Sequence, residues 1–204
     1  MALTDTQICN DALTLCGGQN IMALTDTSRE AKLCNKNYER SRDFILRQHP
    51  WNCAIKRVIL APITGGTPSY DFTYSFALPD DCLKVVRVGQ DPGWRNCDWR
   101  VEGRTILFDE SALYLRYVHR VTDESLIDEN LAEVIAHYLA YRISFPLTAN
   151  ITLTNSLLAR YDRVLRTAKS MDAKEDSSEM LHADLFVDAR RAYGATRLRQ
   201  DQVW

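Results

Sequence analysis

The sequence predicts an α+β fold, with a helical bundle built from both ends of the chain around a central antiparallel β insertion. Three observations predict it. Apolar residues recur at helical spacing before Pro50 and again after about Ser125. Between them, from Trp51 to about Val121, branched and aromatic residues form short runs bounded by Gly, Pro and Asp. Neither helical block alone can cover both its apolar stripes, so the two blocks are expected to share one core.

The first helix starts at Thr4, which with Gln7 forms a capping box in which each side chain satisfies the other's free amide. Ile8, Cys9, Ala12, Leu13 and Cys16 make its apolar stripe, and Gly17-Gly18 ends it where left-handed geometry costs little. A second box, Thr27 with Glu30, opens the next helix. Ala31, Cys34, Tyr38 and Ile45 are its inner face, and Lys32, Lys36, Glu39 and Arg40 its wet one. Pro50 stops it, because the residue before a proline disfavours helical dihedrals.

Ile55 to Leu60 reads as a strand closed by Ala61-Pro62, and 63–69 as a loop by composition. Phe72 to Leu78 and Leu83 to Val88 read as a strand pair joined through Pro79-Asp80-Asp81. Trp99 to Glu102 and Thr105 to Phe108 flank Gly103-Arg104, a two-residue connection suited to a tight hairpin. Leu113, Leu115 and Tyr117 alternate with Tyr114, Arg116 and Val118 in a last strand with apolar surface on both faces. Helix returns near Ser125 with a stripe of Leu131, Val134, Ile135, Tyr138 and Leu139, bounded by Pro146. A longer helix follows, with Leu153, Leu157, Leu158, Tyr161, Val164, Leu165, Ala168 and Met171 on one face. Arg160, Arg163, Arg166 and Lys169 line the other. An acidic stretch comes next (Asp172, Glu175, Asp176, Glu179, Asp184, Asp188), then a basic end from Arg190-Arg191 to Trp204 with no sustained stripe. The expected division is a helical domain from 1–50 and 122–180, a β domain from 51–121, and an extended tail from 181–204.

Composition narrows the function. Hydrophobic residues make up 46% and charged residues 25% of 204, which is globular rather than disordered. A net charge of −2, from 25 basic and 27 acidic residues, argues against a protein that grips phosphate backbones. The start lacks a basic region followed by an apolar one, and no apolar run reaches about 18 residues, so a chain folding in a cytoplasm without a membrane is expected. Six cysteines (Cys9, Cys16, Cys34, Cys53, Cys82, Cys97) contain no C-x-x-C pair, and four histidines are scattered, so buried thiols are expected and no metal site. No cofactor motif is present: there is no phosphate-cradling G-x-x-x-x-G-K-[ST] loop, G-x-S-x-G elbow or H-E-x-x-H pair. His49, at a helix end, is expected to cap carbonyls. His137 lies off the main stripe of its helix and is expected on its flank.

A longer signature runs through the front half: Ala31, Cys34, Tyr38, Arg42-Asp43, Leu46, His49-Pro50-Trp51-Asn52-Cys53-Ala54, then Tyr74-Ser75-Phe76-Ala77-Leu78-Pro79-Asp80-Asp81-Cys82-Leu83-Lys84-Val85. With Cys9 to Leu13, Val101-Glu102-Gly103, Leu115-Arg116-Tyr117, Asp172-Ala173 and Asp188-Ala189-Arg190, it resembles the tail tubular protein A family, the head-to-tail adaptors of short-tailed bacteriophages. Cys53 and Leu185-Phe186 depart from the family's aromatic preferences. The resemblance implies a virion protein without enzymatic activity, forming a dodecameric ring between the portal protein and the tail nozzle (tail tubular protein B), with DNA passing through the lumen. Within the segment from about His182 to Trp204, expected to reach the portal, Phe186 and Trp204 are expected as apolar anchors and Arg190 and Arg191 as charge partners. The basic helix face (Arg160, Arg163, Arg166) and the acidic stretch (Asp172, Glu175, Asp176) are expected to pair between neighbouring subunits. Two other readings stay open. One is a tail-associated peptidoglycan-degrading enzyme, with Glu110 or Glu124 as its acid and Trp94 and Trp99 lining a sugar site. The other is a head-completion ring of a long-tailed phage.

Overall fold

The structure, a computed structural model, describes residues 3–66, 68–89 and 98–175. In chain order the regular elements are α1 (Asp5–Cys16), α2 (Arg29–Gln48), β1 (Ile55–Leu60), β2 (Tyr74–Ala77), β3 (Cys82–Val88), β4 (Arg100–Glu102), β5 (Thr105–Phe108), β6 (Leu113–His119), α3 (Glu129–Thr148) and α4 (Ile151–Glu175). The fold is mixed α+β. Residues 1–173 form one unit; of a second, 174–204, only Lys174 and Glu175 are described. The expected tail therefore lies outside the described residues.

Local chemistry sets the helix ends. The Thr4 hydroxyl accepts from the Gln7 amide at 3.2 Å, while the Thr4 amide donates to Gln7 Oε1 at 3.0 Å. Gly17 closes α1 at φ 73°. The cap of α2 falls one residue beyond the expected Thr27: Ser28 holds the extended backbone and its hydroxyl accepts from the Ala31 amide at 3.2 Å. Helix boundaries drift by such a step when two hydroxyls compete for the same free amides. Pro146 does not bound α3 but sits in its last turn. Proline there lacks the N–H that would bond the Arg142 carbonyl and so weakens the last turn; the Arg29 guanidinium takes the Pro146 carbonyl, and Ala149 ends the turn at φ 52°.

α3 is apolar nearly all round because it is the central helix. Leu131, Val134, Ile135, Leu139 and Ile143 are buried, and the small Ala132, Ala136 and Ala140 let α1 and α2 pack close. α4 instead has neighbours on one side only. Leu157, Tyr161 and Ala168 are buried, whereas Leu158 and Met171, expected on the same stripe, are 37% and 45% exposed.

The strands make two three-stranded antiparallel sheets, ordered β1-β6-β3 and β2-β5-β4. β2 and β3 are thus not a pair. β2 bonds β5 and β3 bonds β6, so Pro79-Asp80-Asp81 carries the chain from one sheet to the other. Facing apolar sides demand this: Phe76, Ile106 and Phe108 of one sheet pack with Val88, Leu113, Leu115 and Tyr117 of the other. The hairpin at Gly103-Arg104 forms as expected, with Glu102 opposite Thr105 and Gly103 at φ 58°. A separate, larger core holds the helices together with Trp51, Ala54, Val118 and Val121.

Candidate functional site

Residues of the long signature converge on the junction where α2 passes into β1. Pro50 ends the helix and turns Trp51 inward, where it is fully buried and donates Nε1–H to the Ile45 carbonyl at 3.1 Å. The His49 ring stands edge-on to it, with centroids 4.9 Å apart. Asp172, near the far end of α4, closes the junction. Its carboxylate meets His49 Nε2 at 2.9 Å and accepts from the Asn52 amide at 3.0 Å, while the Asn52 side chain donates to its carbonyl at 3.0 Å. His49 therefore binds a carboxylate and not the helix carbonyls. Asp172, expected to face a neighbouring subunit, is used within its own chain, with a side chain only 11% exposed. Asp172→Ala should free the end of α4 at a cost of about 1–3 kcal/mol. Hydrogen exchange should show the loss as faster exchange confined to the last turns of α4 and to Asn52.

A second node joins α2 to the connection between β6 and α3. Arg42, nearly buried, meets Asp43 at 3.3 Å and Glu124 at 3.4 Å and lies over the Tyr38 ring. Tyr38 donates to the same Glu124 oxygen at 3.3 Å, and burial followed by that carboxylate's charge pushes its pKa above the ordinary tyrosine range. Asp43 also takes Arg120 at 2.8 Å. Glu124, one of the two candidate acids for glycan cleavage, is thus an acceptor for an arginine and a tyrosine. Glu110 is exposed.

The third node is Asp81, in the crossing between sheets. Lys56 and the Tyr117 hydroxyl bind its two oxygens at 2.8 and 3.0 Å. Burial works to raise its pKa, but these two hydrogen bonds outweigh burial and hold the carboxyl below the usual carboxylate range. The Tyr117 hydroxyl is pushed up to about 12, first by burial and then by the bond to Asp81. A carboxyl whose pKa is lower folded than unfolded adds stability above its unfolded value, near 3.9, and loses it as pH falls through the folded value. Asp81→Asn should therefore flatten the fall in stability below about pH 4 and cost under about 1 kcal/mol at neutral pH, since the pair is partly exposed. Denaturant midpoints from pH 7 to pH 2 would check both.

The described cysteines are all free thiols. Cys9 and Cys34 share a hydrogen bond between α1 and α2; that bond and burial raise the Cys9 pKa, while the same bond lowers that of Cys34 against burial, which works to raise it. Burial pushes Cys16 and Cys53 up to about 11. Cys97 lies outside the described residues. His137, expected on a flank, is buried, with Nδ1 3.0 Å from the Glu133 carbonyl one turn back. Among the described residues no group of His, Cys, Asp and Glu is placed to hold a metal ion. No helix among them is long and apolar enough to cross a membrane.

Two hollows flank the second sheet. One, of about 410 Å³, lies among Ile63, Tyr70, Phe72, Ser75, Arg100 and Glu102. The other, of about 420 Å³, lies among Asp71, Asp98, Trp99, Arg100 and Asp109. Trp99 is exposed and lines the second hollow, but Glu110 and Glu124 line neither of the two. Trp94 lies outside the described residues.

Arg160, Arg163 and Arg166 are exposed along α4 and make no ion pair with a described residue; Arg166 Nε donates to the Asp162 carbonyl at 3.1 Å. Glu175 is exposed at the helix end. Asp176, Phe186, Arg190, Arg191 and Trp204 lie outside the described residues. Sequence reasoning missed the three polar nodes because each joins residues far apart in the chain, and no local pattern marks such pairs. No protein-family model matches the chain, and a search of curated proteins also found no match.

Proposed function

We propose that the chain is a structural subunit, a head-to-tail adaptor that joins a phage portal to the tail nozzle and surrounds the path of the DNA. One observation carries the reading most: the residues of the adaptor-like signature are spent on architecture. His49, Trp51 and Asn52 lock onto Asp172, and Tyr38, Arg42 and Asp43 form the polar node against Glu124 and Arg120. Polar groups this fully satisfied by one another make a rigid joint, and none is left poised as an acid, a base or a nucleophile. A connector must carry load between partners, and rigid joints between its helical and β parts suit that task.

The arginines of α4, without an ion pair among the described residues, support a subunit contact. Arg160, Arg163 and Arg166 present one charge along a single exposed face, and Glu175 with Asp176 offers the other sign to a neighbouring copy. Closed rings use such heterologous contacts, in which one patch meets a different patch of the next subunit. The portal contact is assigned to the segment containing Phe186, Arg190, Arg191 and Trp204, since aromatic and arginine side chains dominate interface energies. The virion is the expected location, and the near-neutral net charge of −2 suits a lumen that lets DNA slide.

A triple charge reversal, R160E/R163E/R166E, tests the subunit contact on the full chain. The variant should keep its melting temperature and lose ring assembly on the portal, and wild-type assembly should weaken as salt rises. Unchanged assembly would remove the α4 face from the interface.

A further inference from the structure

Strand register aligns three arginines that are distant in sequence. Arg57 of β1 lies opposite Arg116 of β6, which lies opposite Arg87 of β3. Directly paired residues of antiparallel strands share a face, so Arg57 and Arg116 stand side by side about 4.8 Å apart, and Arg87 joins them across a β-bulge between Val85 and Arg87. This face is the one turned away from the second sheet. Its lower end, Ile55 and Val118, packs on the helical core, while its upper end pairs Ile59 with Tyr114 and leaves Ile59 63% exposed. Lys84, opposite Val118, is exposed on the same face.

Like charges directly opposite each other destabilise a sheet, and here the clash occurs twice in a row. Neither Arg57 nor Arg116 has an ion pair among the described residues, and Arg116 Nε is a buried donor without a hydrogen-bond partner. A buried donor left open in this way marks a missing acceptor. Arg87 and Tyr114 hold contacts of their own, so Arg57 and Arg116 supply the unanswered charge.

We propose that this arginine row, flanked by Ile59 and Tyr114, is a docking site for an acidic amphipathic helix of a protein partner. Guanidinium groups bind carboxylates through paired hydrogen bonds, and carboxylates at i and i+4 of a helix stand about 5–6 Å apart, close to the strand spacing of the row. The neighbouring exposed Ile59, beside the half-buried Tyr114, distinguishes a protein from a nucleic acid. The two can bury an apolar side chain beside the charges, as interface cores do, whereas a phosphate backbone offers them nothing apolar. This assignment stands or falls apart from the adaptor reading.

Fluorescence anisotropy on the full chain tests it with three labelled probes. They are a synthetic helical peptide with Glu at i and i+4 and Leu alongside, its Glu→Gln counterpart, and a duplex oligonucleotide. The Glu peptide should bind saturably and the Gln peptide should not. The exposed Arg57→Gln should weaken the Glu peptide about tenfold, the equivalent of one good charged contact. Because it removes a like-charge clash, Arg57→Gln should also keep or raise the melting temperature, and Ile59→Ser should weaken the same peptide. Equal binding of the Glu and Gln peptides would overturn the proposal, and so would affinity indifferent to Arg57→Gln. Stronger binding of the oligonucleotide that is lost with Arg57→Gln would overturn it in favour of a phosphate site.

Discussion

Trp51→Ala should be the most damaging single substitution in the described chain. The indole is fully buried between the end of α2 and the start of β1, and its Nε1–H holds the Ile45 carbonyl. Truncation removes that bond and leaves a cavity that the surrounding Ala54, Ile45 and helical core cannot fill without moving the junction. Large-to-small changes of this kind cost about 3–5 kcal/mol, against a total stability of about 5–15 kcal/mol for ordinary domains. The melting temperature should fall by about 6–20 °C, at about 2–4 °C per kcal/mol for chains of this size. Trp51→Phe keeps a ring in the site but loses the hydrogen bond, so it should fall between wild type and Trp51→Ala. Chemical denaturation of the three proteins checks the order. A Trp51→Ala loss under about 1 kcal/mol would mean that the junction is not part of the cooperative core.

Arg42→Met should be nearly as costly, for an electrostatic reason. Arg42 is 6% exposed at its side chain, and its partners Glu124 and Asp43 are 18% and 23% exposed. Removing the cation strands Glu124 in a site shaped to receive one. Breaking a buried pair costs about 3–5 kcal/mol; the partial exposure of Glu124, and the Arg120 contact retained by Asp43, place the expected loss at the lower end. The double variant R42M/E124Q should recover part of it, because no uncompensated charge remains. This cycle also bears on the enzymatic alternative. Where Glu124 serves the fold, Glu124→Gln alone lowers stability and leaves any glycan cleavage in the sample unchanged. Loss of cleavage at unchanged stability would make Glu124 a catalytic acid.

Several elements were legible because their signals are local. The bounds of β1 follow from a run of branched residues closed by Ala61-Pro62, and the hairpin follows from Gly103 between two alternating runs. The capping box of α1 needs only Thr4 and Gln7. What escaped depends on partners distant in the chain. Alternation in β2 and β3 shows that each is a strand but not which strand it bonds, and the facing cores of two sheets decide that. Asp172 reads as one more acid in an acidic stretch until His49 and Asn52, about 120 positions earlier, are beside it. The exposure of Leu158 and Met171 depends on how many neighbours α4 has. The arginine row exists only once the β1-β6-β3 register is fixed, and three arginines on three strands give no hint of it in sequence.

The candidate site follows the same division. The signature His49-Pro50-Trp51-Asn52 stands out in the sequence. Its work as a clasp on α4 required the fold. The basic face of α4 was visible from spacing alone, and the three arginines are exposed as that spacing requires.

The proposed role as a connector subunit is tested by the mass of the complexes this chain forms. Native mass spectrometry of the full chain, alone and mixed with a candidate portal, should show the chain joining the portal as a closed ring with the mass of a dodecamer. A chain that stays monomeric with its cognate portal, or that joins it in a single copy, would contradict the account.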